Sequence, residues 1–366
     1  MAGVYLSWPF CAQKCSFCNF GSGVFPAALE RDYENALADE LSRFEWPWQP
    51  ETVYLGGGTP SRMPAEVLER LLRLIPGRPW SEATIEAAPG SVSGERAESW
   101  MRAGIDRVSL GVQSFVPQEI AQSGRKHSAE VVAREMRLLR ECGFRRFNID
   151  LIAGLPFQTR ESWRESLDWI ERLEPGHVSV YMLEVDQDSR LGRELLEGGP
   201  KYGAAAAPSD DLVVEFYETA VERLAALGLA RYEISNFARP GEESLHNLKY
   251  WRLEPYAGFG ADAHSFDGAE RRSNAETPAE YVERWRRGES PSVDHIEANL
   301  DEERFFVGLR LSAGIRPRED EWRRWEDPIQ RLTESGLLQI DGETLRLTRA
   351  GLLVSNEVFQ EFITIP

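Results

Sequence analysis

The sequence predicts an α/β protein: an open, partial (β/α)6 barrel followed by a small winged-helix-like module. Three observations carry this. Short β-rich runs alternate with longer helical patterns through the first two-thirds of the chain, the pattern of a parallel sheet with crossover helices. Six such units are too few to close an eight-stranded barrel, so the sheet should stay open, with its site at the C-terminal strand ends. From about Asn299 the texture changes to helix, helix and hairpin. A length of 366 residues suits one larger and one smaller unit, because single cores stop growing beyond about 250 to 300 residues.

In chain order, the β-rich runs place strands at Val4–Trp8, Thr52–Leu55, Ala83–Ala87, Arg107–Gly111, Phe144–Leu151 and His177–Tyr181. Helical patterns between them cover Pro26–Phe44, Pro64–Leu74, Ser93–Arg102, Ala129–Cys142 and Arg160–Leu173. The stretch Asp186–Pro208 is rich in Gly, Ala and Pro with little periodicity and reads as an excursion or lid loop. A helix over Ser209–Leu227 then precedes a further strand at Arg231–Ile234. In the last part, Phe305, Phe306, Leu309 and Leu311 suit one helix and Ile329–Ser335 a second. Leu337–Ile340, a turn at Asp341–Gly342, and Leu345–Leu347 make a hairpin before a final helix. The expected divisions are residues 1–235 as barrel, 236–298 as connecting segment and 299–366 as the C-terminal module.

Composition narrows the partners. Hydrophobic residues at 42% with 28% charged, and 17 Phe, 11 Trp and 10 Tyr, describe a globular protein with much to bury. A net charge of -18 repels phosphate backbones and anionic lipid, so neither nucleic acid nor membrane insertion is expected. The C-terminal module likewise lacks the basic face of a DNA reader, which favours a structural or docking role. Met1–Phe10 has no basic stretch leading into a long apolar run, and no window of about 20 apolar residues occurs. A cytoplasmic location is expected.

Of the four cysteines, three crowd into Cys11-Ala-Gln-Lys-Cys15-Ser-Phe-Cys18. In a chain this large they read as reduced thiols around a metal, not as a disulfide framework. CxxxCxxC spacing directly after a strand allows a tight loop to wrap an iron-sulfur cubane, yet supplies ligands for only three of its irons. That vacancy suits a site that binds a small molecule. A zinc loop completed by a distant His, or thiols that are merely buried, is the alternative. Cys142, beside the helix-ending Gly143, reads as a small core residue.

Further polar and glycine positions fall at strand ends. Gly56-Gly57-Gly58-Thr59-Pro60 follows the second strand and lets backbone pass close to a ligand. Glu86, Gln113 and Asp150 sit at the ends of otherwise apolar strands, either as satisfied hydrogen-bonders in the barrel or as ligands at its mouth. With Arg125, which could meet a carboxylate, they suit a ligand bearing a cation, a ribose and a carboxylate.

With these residues in view, the chain resembles the radical S-adenosylmethionine (SAM) family of oxygen-independent coproporphyrinogen III dehydrogenases and HemW-type haem chaperones. The resemblance runs from Tyr5-Leu-Ser-Trp-Pro-Phe-Cys11 through Gly56–Pro60, Glu86, Gly111–Phe115 and Asn148-Ile-Asp150-Leu-Ile-Ala-Gly154-Leu-Pro156 to the C-terminal module. It implies a 4Fe-4S cluster on Cys11, Cys15 and Cys18, with SAM on the open iron as a source of an adenosyl radical. It further implies SAM contacts at Tyr5, Gly57, Gly58, Thr59, Glu86, Gln113, Arg125 and Asp150.

Two features separate the branches. Phe20 stands where the dehydrogenases carry a further cysteine, and only Met1–Phe10 precede the first cysteine, against the longer extension of those enzymes. His246-Asn247-Leu-Lys-Tyr250-Trp251 matches the HNxxYW signature of the chaperone branch. Imidazole is a common haem ligand and aromatic rings pack on porphyrins, so His246, Tyr250 and Trp251 are the candidate haem contacts; they could also simply cap a helix and fill a crevice.

The resemblance thus implies a chaperone that carries haem and a SAM-coordinating cluster and hands haem to acceptors, including membrane respiratory proteins. A flavodoxin or ferredoxin would be its reductant. The alternative is oxidative decarboxylation of coproporphyrinogen III to protoporphyrinogen IX. Ala88 replaces a usual Asn, and Asp262 replaces a small residue in Gly258-Phe-Gly260-Ala-Asp262-Ala263-His264. His127, His177, His264 and His295 read as ordinary surface or core residues.

Overall fold

The computed structural model describes residues 2–364; Met1, Ile365 and Pro366, which end the expected divisions, lie outside the described residues. Strand and helix alternate as β1 (Ala2–Trp8), α1 (Ala27–Arg43), β2 (Pro50–Gly57), α2 (Ala65–Arg73), β3 (Glu82–Ala87), α3 (Gly94–Ala103), β4 (Arg107–Gln113), α4 (Pro117–Gln122), α5 (Ala129–Glu141), β5 (Arg146–Ala153), α6 (Arg160–Leu173) and β6 (His177–Met182). The six strands pair in parallel in sequence order, an open (β/α)6 barrel as expected.

Side chains alternate across each strand, and the two faces differ in chemistry. Leu6, Leu55, Ile85, Val108, Ile149 and Val178 turn outward under the helices and are buried. The inner face is polar. In register across it lie Glu86, Ser109, Asn148 and His177. Tyr5, Tyr54 and Thr84 line up similarly in the neighbouring strands. A parallel sheet with both faces covered must satisfy such groups internally; Asn148 does so by bonding Ser109, Asp150 and His177, whereas the Thr84 hydroxyl is buried without a partner among the described residues.

After β6 come α7 (Arg190–Glu197), a 3-10 turn at Lys201–Ala206, α8 (Asp210–Ala226), then β7 (Ala230–Arg231) and β8 (Asn236–Ala238), with β8 antiparallel to β6 and β7 antiparallel to β8. The chain crosses through α9 (Leu245–Trp251) to the opposite edge. There β9 (Tyr256–Phe259) lies parallel to β1. β10 (His264–Phe266), β11 (Glu270–Asn274), α10 (Pro278–Arg286) and β12 (Ser292–Glu297) follow, the strands antiparallel. The segment 236–298, expected as a connection, therefore contributes five strands to one twelve-stranded sheet.

The remaining chain forms α11 (Leu300–Phe306), a 3-10 turn at Gly308–Arg310, α12 (Glu319–Arg324), α13 (Glu326–Glu334), the hairpin β13 (Leu338–Asp341) and β14 (Thr344–Leu347), α14 (Arg349–Leu353) and α15 (Ser355–Gln360). It has its own core around Phe305, Leu309, Trp325, Ile329 and Phe362, joined by Ile234 from the barrel side. Among the described residues no helix is long and apolar enough to cross a membrane.

Several elements differ from the sequence reading. β5 begins at Arg146, because Phe144 is a buried core residue at the end of the preceding turn. The expected loop Asp186–Pro208 contains α7, capped by the Ser189 side chain and closed by Gly198 at positive φ; at eight residues it is too short to show a period. The helix expected through Leu311 stops at Phe306, since Leu311 bridges to Glu233 and Ser312 donates to the Tyr232 carbonyl. The final helix breaks into two short ones at Val354, and α4 and α12 add to the expected set.

Candidate functional site

The cysteine loop leaves β1 at its C-terminal end. Its path is fixed by the glycine run on the neighbouring strand: Gly58 donates to the Trp8 carbonyl at 2.9 Å and Thr59 to that of Phe10 at 3.1 Å. A side chain at Gly58 would strike Pro9 backbone at 2.7 Å, so only glycine permits this approach. Cys11, Cys15 and Cys18 are free, half-buried thiols of this loop. Burial pushes the Cys11 thiol up, while hydrogen bonds from Thr59 and Ser22 pull it partly back. Cys18 Sγ lies 3.7 Å from Ser22 Oγ. Among the described residues no three His, Cys, Asp or Glu side chains are gathered as around a single ion.

The excursion after β6 folds over this loop. Leu191 of α7 donates to the Ser16 carbonyl at 2.8 Å, Arg190 reaches the Lys14 carbonyl, and Asn19 bonds Asp186 at 2.7 Å. The stretch read as an excursion or lid loop is thus a helical segment packed on the cysteine loop.

Beside the loop, the polar strand-end residues fall into small hydrogen-bonded sets. Glu86 accepts from Tyr54 at 2.9 Å and from the Gly57 amide; burial, with Asp150 adding to it, pushes its carboxyl up to about 7. Asp150 accepts from Asn148 at 2.7 Å and Ser109 at 3.3 Å, and burial raises it as well. Arg125 donates to the Gly111 carbonyl at 2.5 Å, beside Gln113, whose backbone has φ 71°. The Arg125 Nε is buried without a partner among the described residues, a donor left for a ligand. Tyr5 stacks on Tyr54 with centroids 6.1 Å apart.

A cavity of about 750 Å³ opens at the β1 edge, within the range of small-molecule sites. Tyr5, Gly57 and Glu86 reach it from the barrel, Phe20 and Ser22 from the cysteine loop, and Tyr250 and Trp251 from α9. Phe20 is 62% exposed. The C-terminal module closes it with Glu303, Phe306 and Val307.

His246 has a different place from its motif neighbours. It is 1% exposed and does not line the cavity. Its Nδ1 pairs with Thr52 Oγ1 at 2.9 Å and its Nε2 with Tyr250 Oη at 2.8 Å. Burial, with Lys249 and Arg107 nearby, pushes its pKa down to about 3. The helix carrying it is pinned by buried Glu82, which accepts from the Leu245 and His246 amides at 3.1 and 3.0 Å. Of the expected haem contacts, Tyr250 and Trp251 reach the cavity and His246 stands behind them.

The other histidines divide likewise. His177 is buried between Asn148 at 2.7 Å and Tyr232 at 2.9 Å. His127 is half-buried outside the cavity, and His295 sits exposed on β12. His264, read from sequence as ordinary, is exposed and lines the cavity on β10. Asp262, the departure two residues earlier, lines the cavity as an exposed side chain beside Gly21 of the cysteine loop, and partial desolvation raises its carboxyl. Cys142 is half-buried against the main core, as read.

Residues 5–170 match the model of the Radical SAM superfamily, and 299–354 that of the HemN C-terminal domain. The chain is 33% identical to the heme chaperone HemW of Bacillus subtilis (strain 168), over 99% of both chains. It is 32% identical to the mitochondrial radical S-adenosyl methionine domain-containing protein 1 of Bos taurus, over 99% of this chain and 87% of that one. In fold it is similar to the Escherichia coli coproporphyrinogen III oxidase HemN, a radical SAM enzyme, with a TM-score of 0.84 at 21% identity, covering 99% of this chain and 90% of that one.

Proposed function

The chain belongs to the HemW family within the radical SAM superfamily, and on that premise we propose that it is a haem chaperone which binds haem beside a SAM-coordinated 4Fe-4S cluster and passes it to acceptor proteins. The observation that carries this reading is the cavity where the cysteine loop, the Glu86 strand end and the HNxxYW helix meet. Cys11, Cys15 and Cys18 would hold the cluster, which when bound supplies an electron to SAM through its open iron. Three thiols on one loop braced by Gly58 leave one iron of such a cluster without a protein ligand.

The protein's own groups would do the rest. Glu86 and Asp150 would face a cationic ligand, the Gly57 and Gly58 backbone and Tyr5 would lie along it, and Arg125 with its spare Nε would take a carboxylate, with Gln113 and Thr59 as further contacts. Tyr250 and Trp251 would pack on the porphyrin. Phe20, in place of a fourth cysteine, offers an apolar ring to the same cavity and supports the chaperone over coproporphyrinogen decarboxylation. Acceptors would be cytoplasm-facing haem proteins, those of respiratory membranes included, and a flavodoxin or ferredoxin would be the reductant.

The test of the cluster assignment is anaerobic reconstitution followed by iron and sulfide analysis and electron paramagnetic resonance. Wild type should hold about four irons per chain and change its signal when SAM is added. Cys15→Ser should lose the cluster, and full retention by that variant would remove the assignment.

A further inference from the structure

We propose that the helical segment after β6 is a clamp that fixes the cysteine loop for its cluster, with Arg190 as the positioning residue that holds the loop and sets a positive charge beside it; this rests on the cluster assignment above. A loop that carries three metal ligands must keep them together before the metal arrives, or each binding event has to order it first. This loop does little of that by itself. Its ends are tied, with Cys11 donating to the Gly23 carbonyl at 2.8 Å. Between Cys11 and Cys18 its one internal backbone bond among the described residues runs from the Cys18 amide to the Cys15 carbonyl at 3.4 Å, beyond the usual range.

The hold comes from outside, and it falls on each interval between and after the ligands. Arg190 Nη2 donates to the carbonyl of Lys14, just ahead of Cys15. Leu191 donates its amide to the Ser16 carbonyl at 2.8 Å, between Cys15 and Cys18. Asn19, just past Cys18, donates to the Asp186 carboxylate at 2.7 Å. A second hold comes from the end of α4, where the carbonyls of Ser123 and Gln122 accept from the Ser16 amide at 3.1 Å and its hydroxyl at 3.2 Å. Ser16 is thereby 2% exposed, with its amide, carbonyl and hydroxyl all engaged.

The clamp is itself tightly built. Ser189 donates to the Asp186 carbonyl at 3.0 Å and caps the Gly192 amide at 2.8 Å, while the Asp188 amide donates to the Asp186 carboxylate at 2.8 Å. A Cβ on Gly192 would lie 2.0 Å from the Asp186 carbonyl oxygen, so this turn requires glycine. Leu183 donates to the Ala153 carbonyl and Ala206 accepts from the Phe157 amide, each at 2.8 Å, which roots both ends of the segment in the barrel. Arg190 is spent on a backbone carbonyl and on the Tyr202 ring, whose centroid lies 5.3 Å from its guanidinium carbon, and its Nε is buried without a partner among the described residues. Its charge is therefore left beside the loop, and a cation near an iron-sulfur cluster favours the more negative, reduced form.

The experiment compares full-length wild type, Arg190→Gln, Arg190→Lys and, as a control, Arg193→Gln at an exposed position of the same helix, with folding checked by circular dichroism. Amide hydrogen exchange over residues 11–19 of the metal-free protein reads the clamp. A redox titration of the anaerobically reconstituted protein, followed by electron paramagnetic resonance, reads the charge. Arg190→Gln should speed exchange by roughly tenfold. It should also lower the ratio of reduced to oxidised cluster at a fixed potential by roughly tenfold, about 59 mV for one electron. Arg190→Lys should keep the wild-type potential, and Arg193→Gln should leave both readouts unchanged, since solvent screens its charge. Wild-type exchange in folded Arg190→Gln overturns the clamp; wild-type potential in that variant, or an equal fall in Arg190→Lys, overturns the charge role. Wild type that binds no iron-sulfur cluster overturns the cluster assignment itself, while exchange in the metal-free protein still decides the clamp.

Discussion

The floor of the barrel and the wall of the cavity beside it are built from the same residue types under opposite rules. On the floor, Asn148 bonds Ser109 at 2.8 Å and His177 at 2.7 Å, and His177 bonds Tyr232. Asn148 and His177 are there spent on their neighbours. On the wall, His264 has an exposed ring, Glu86 has its carboxyl lifted by burial beside an open space, and Phe20 presents an exposed aromatic ring. The difference teaches which polar residues hold the fold and which are left for a ligand: satisfaction marks the first, and reachable vacancy the second.

The largest effect that could break this comparison lies in the fold-holding part. Trp163 is buried, stacks on Phe216 and donates to its carbonyl at 2.8 Å. Trp163→Ala should cost about 3 to 5 kcal/mol in denaturant unfolding. Phe20→Ala, on the wall, should stay within about 0.5 kcal/mol of wild type and yet weaken haem binding. Equal stability losses in the two variants would erase the distinction.

Next comes His246. Its removal strands the Thr52 and Tyr250 hydroxyls, so His246→Ala should lose about 1 to 3 kcal/mol of stability, measured by the same unfolding curves. A loss of haem binding without a loss of stability would place the residue on the wall instead.

A subtler effect is pH-dependent. Glu40 accepts from Gly260, Asn274 and Tyr281 on the far side of β9, and burial pushes its carboxyl from 4.5 up to about 7. The folded state therefore favours the protonated form. Its contribution is full below pH 4.5, falls as pH rises toward about 7, and is level beyond. Unfolding free energies of wild type and Glu40→Gln across that window should diverge with this slope; a pH-independent difference would count against it.

The smallest effect belongs to the module contact Arg349–Glu218, at 2.7 Å on an exposed surface. Arg349→Ala should change stability by about 0 to 1 kcal/mol. A larger loss would mean that this pair docks the module.

The barrel was legible because outward residues such as Ile85 and Val178 are apolar while Thr84, Glu86 and Ser179 on the same strands are not. The cysteine loop and glycine run were legible for a similar reason, since both are local in sequence. β10 to β12 were not, because strands such as Ser-Val-Asp-His-Ile-Glu at the sheet edge are exposed and carry no apolar alternation. The role of His246 was hidden for a different reason: its partner Thr52 lies 194 residues away, and no local pattern announces it. His264 was legible only in retrospect, as the imidazole that follows Gly258–Ala263 into the cavity wall.

The central claim, that this fold carries haem, is tested most directly on one anaerobically reconstituted sample by haemin titration and a coproporphyrinogen III decarboxylation assay with SAM. The account predicts a saturable Soret band and no catalytic turnover of coproporphyrinogen. Protoporphyrinogen formed over many turnovers, with an unchanged haemin spectrum, would contradict it.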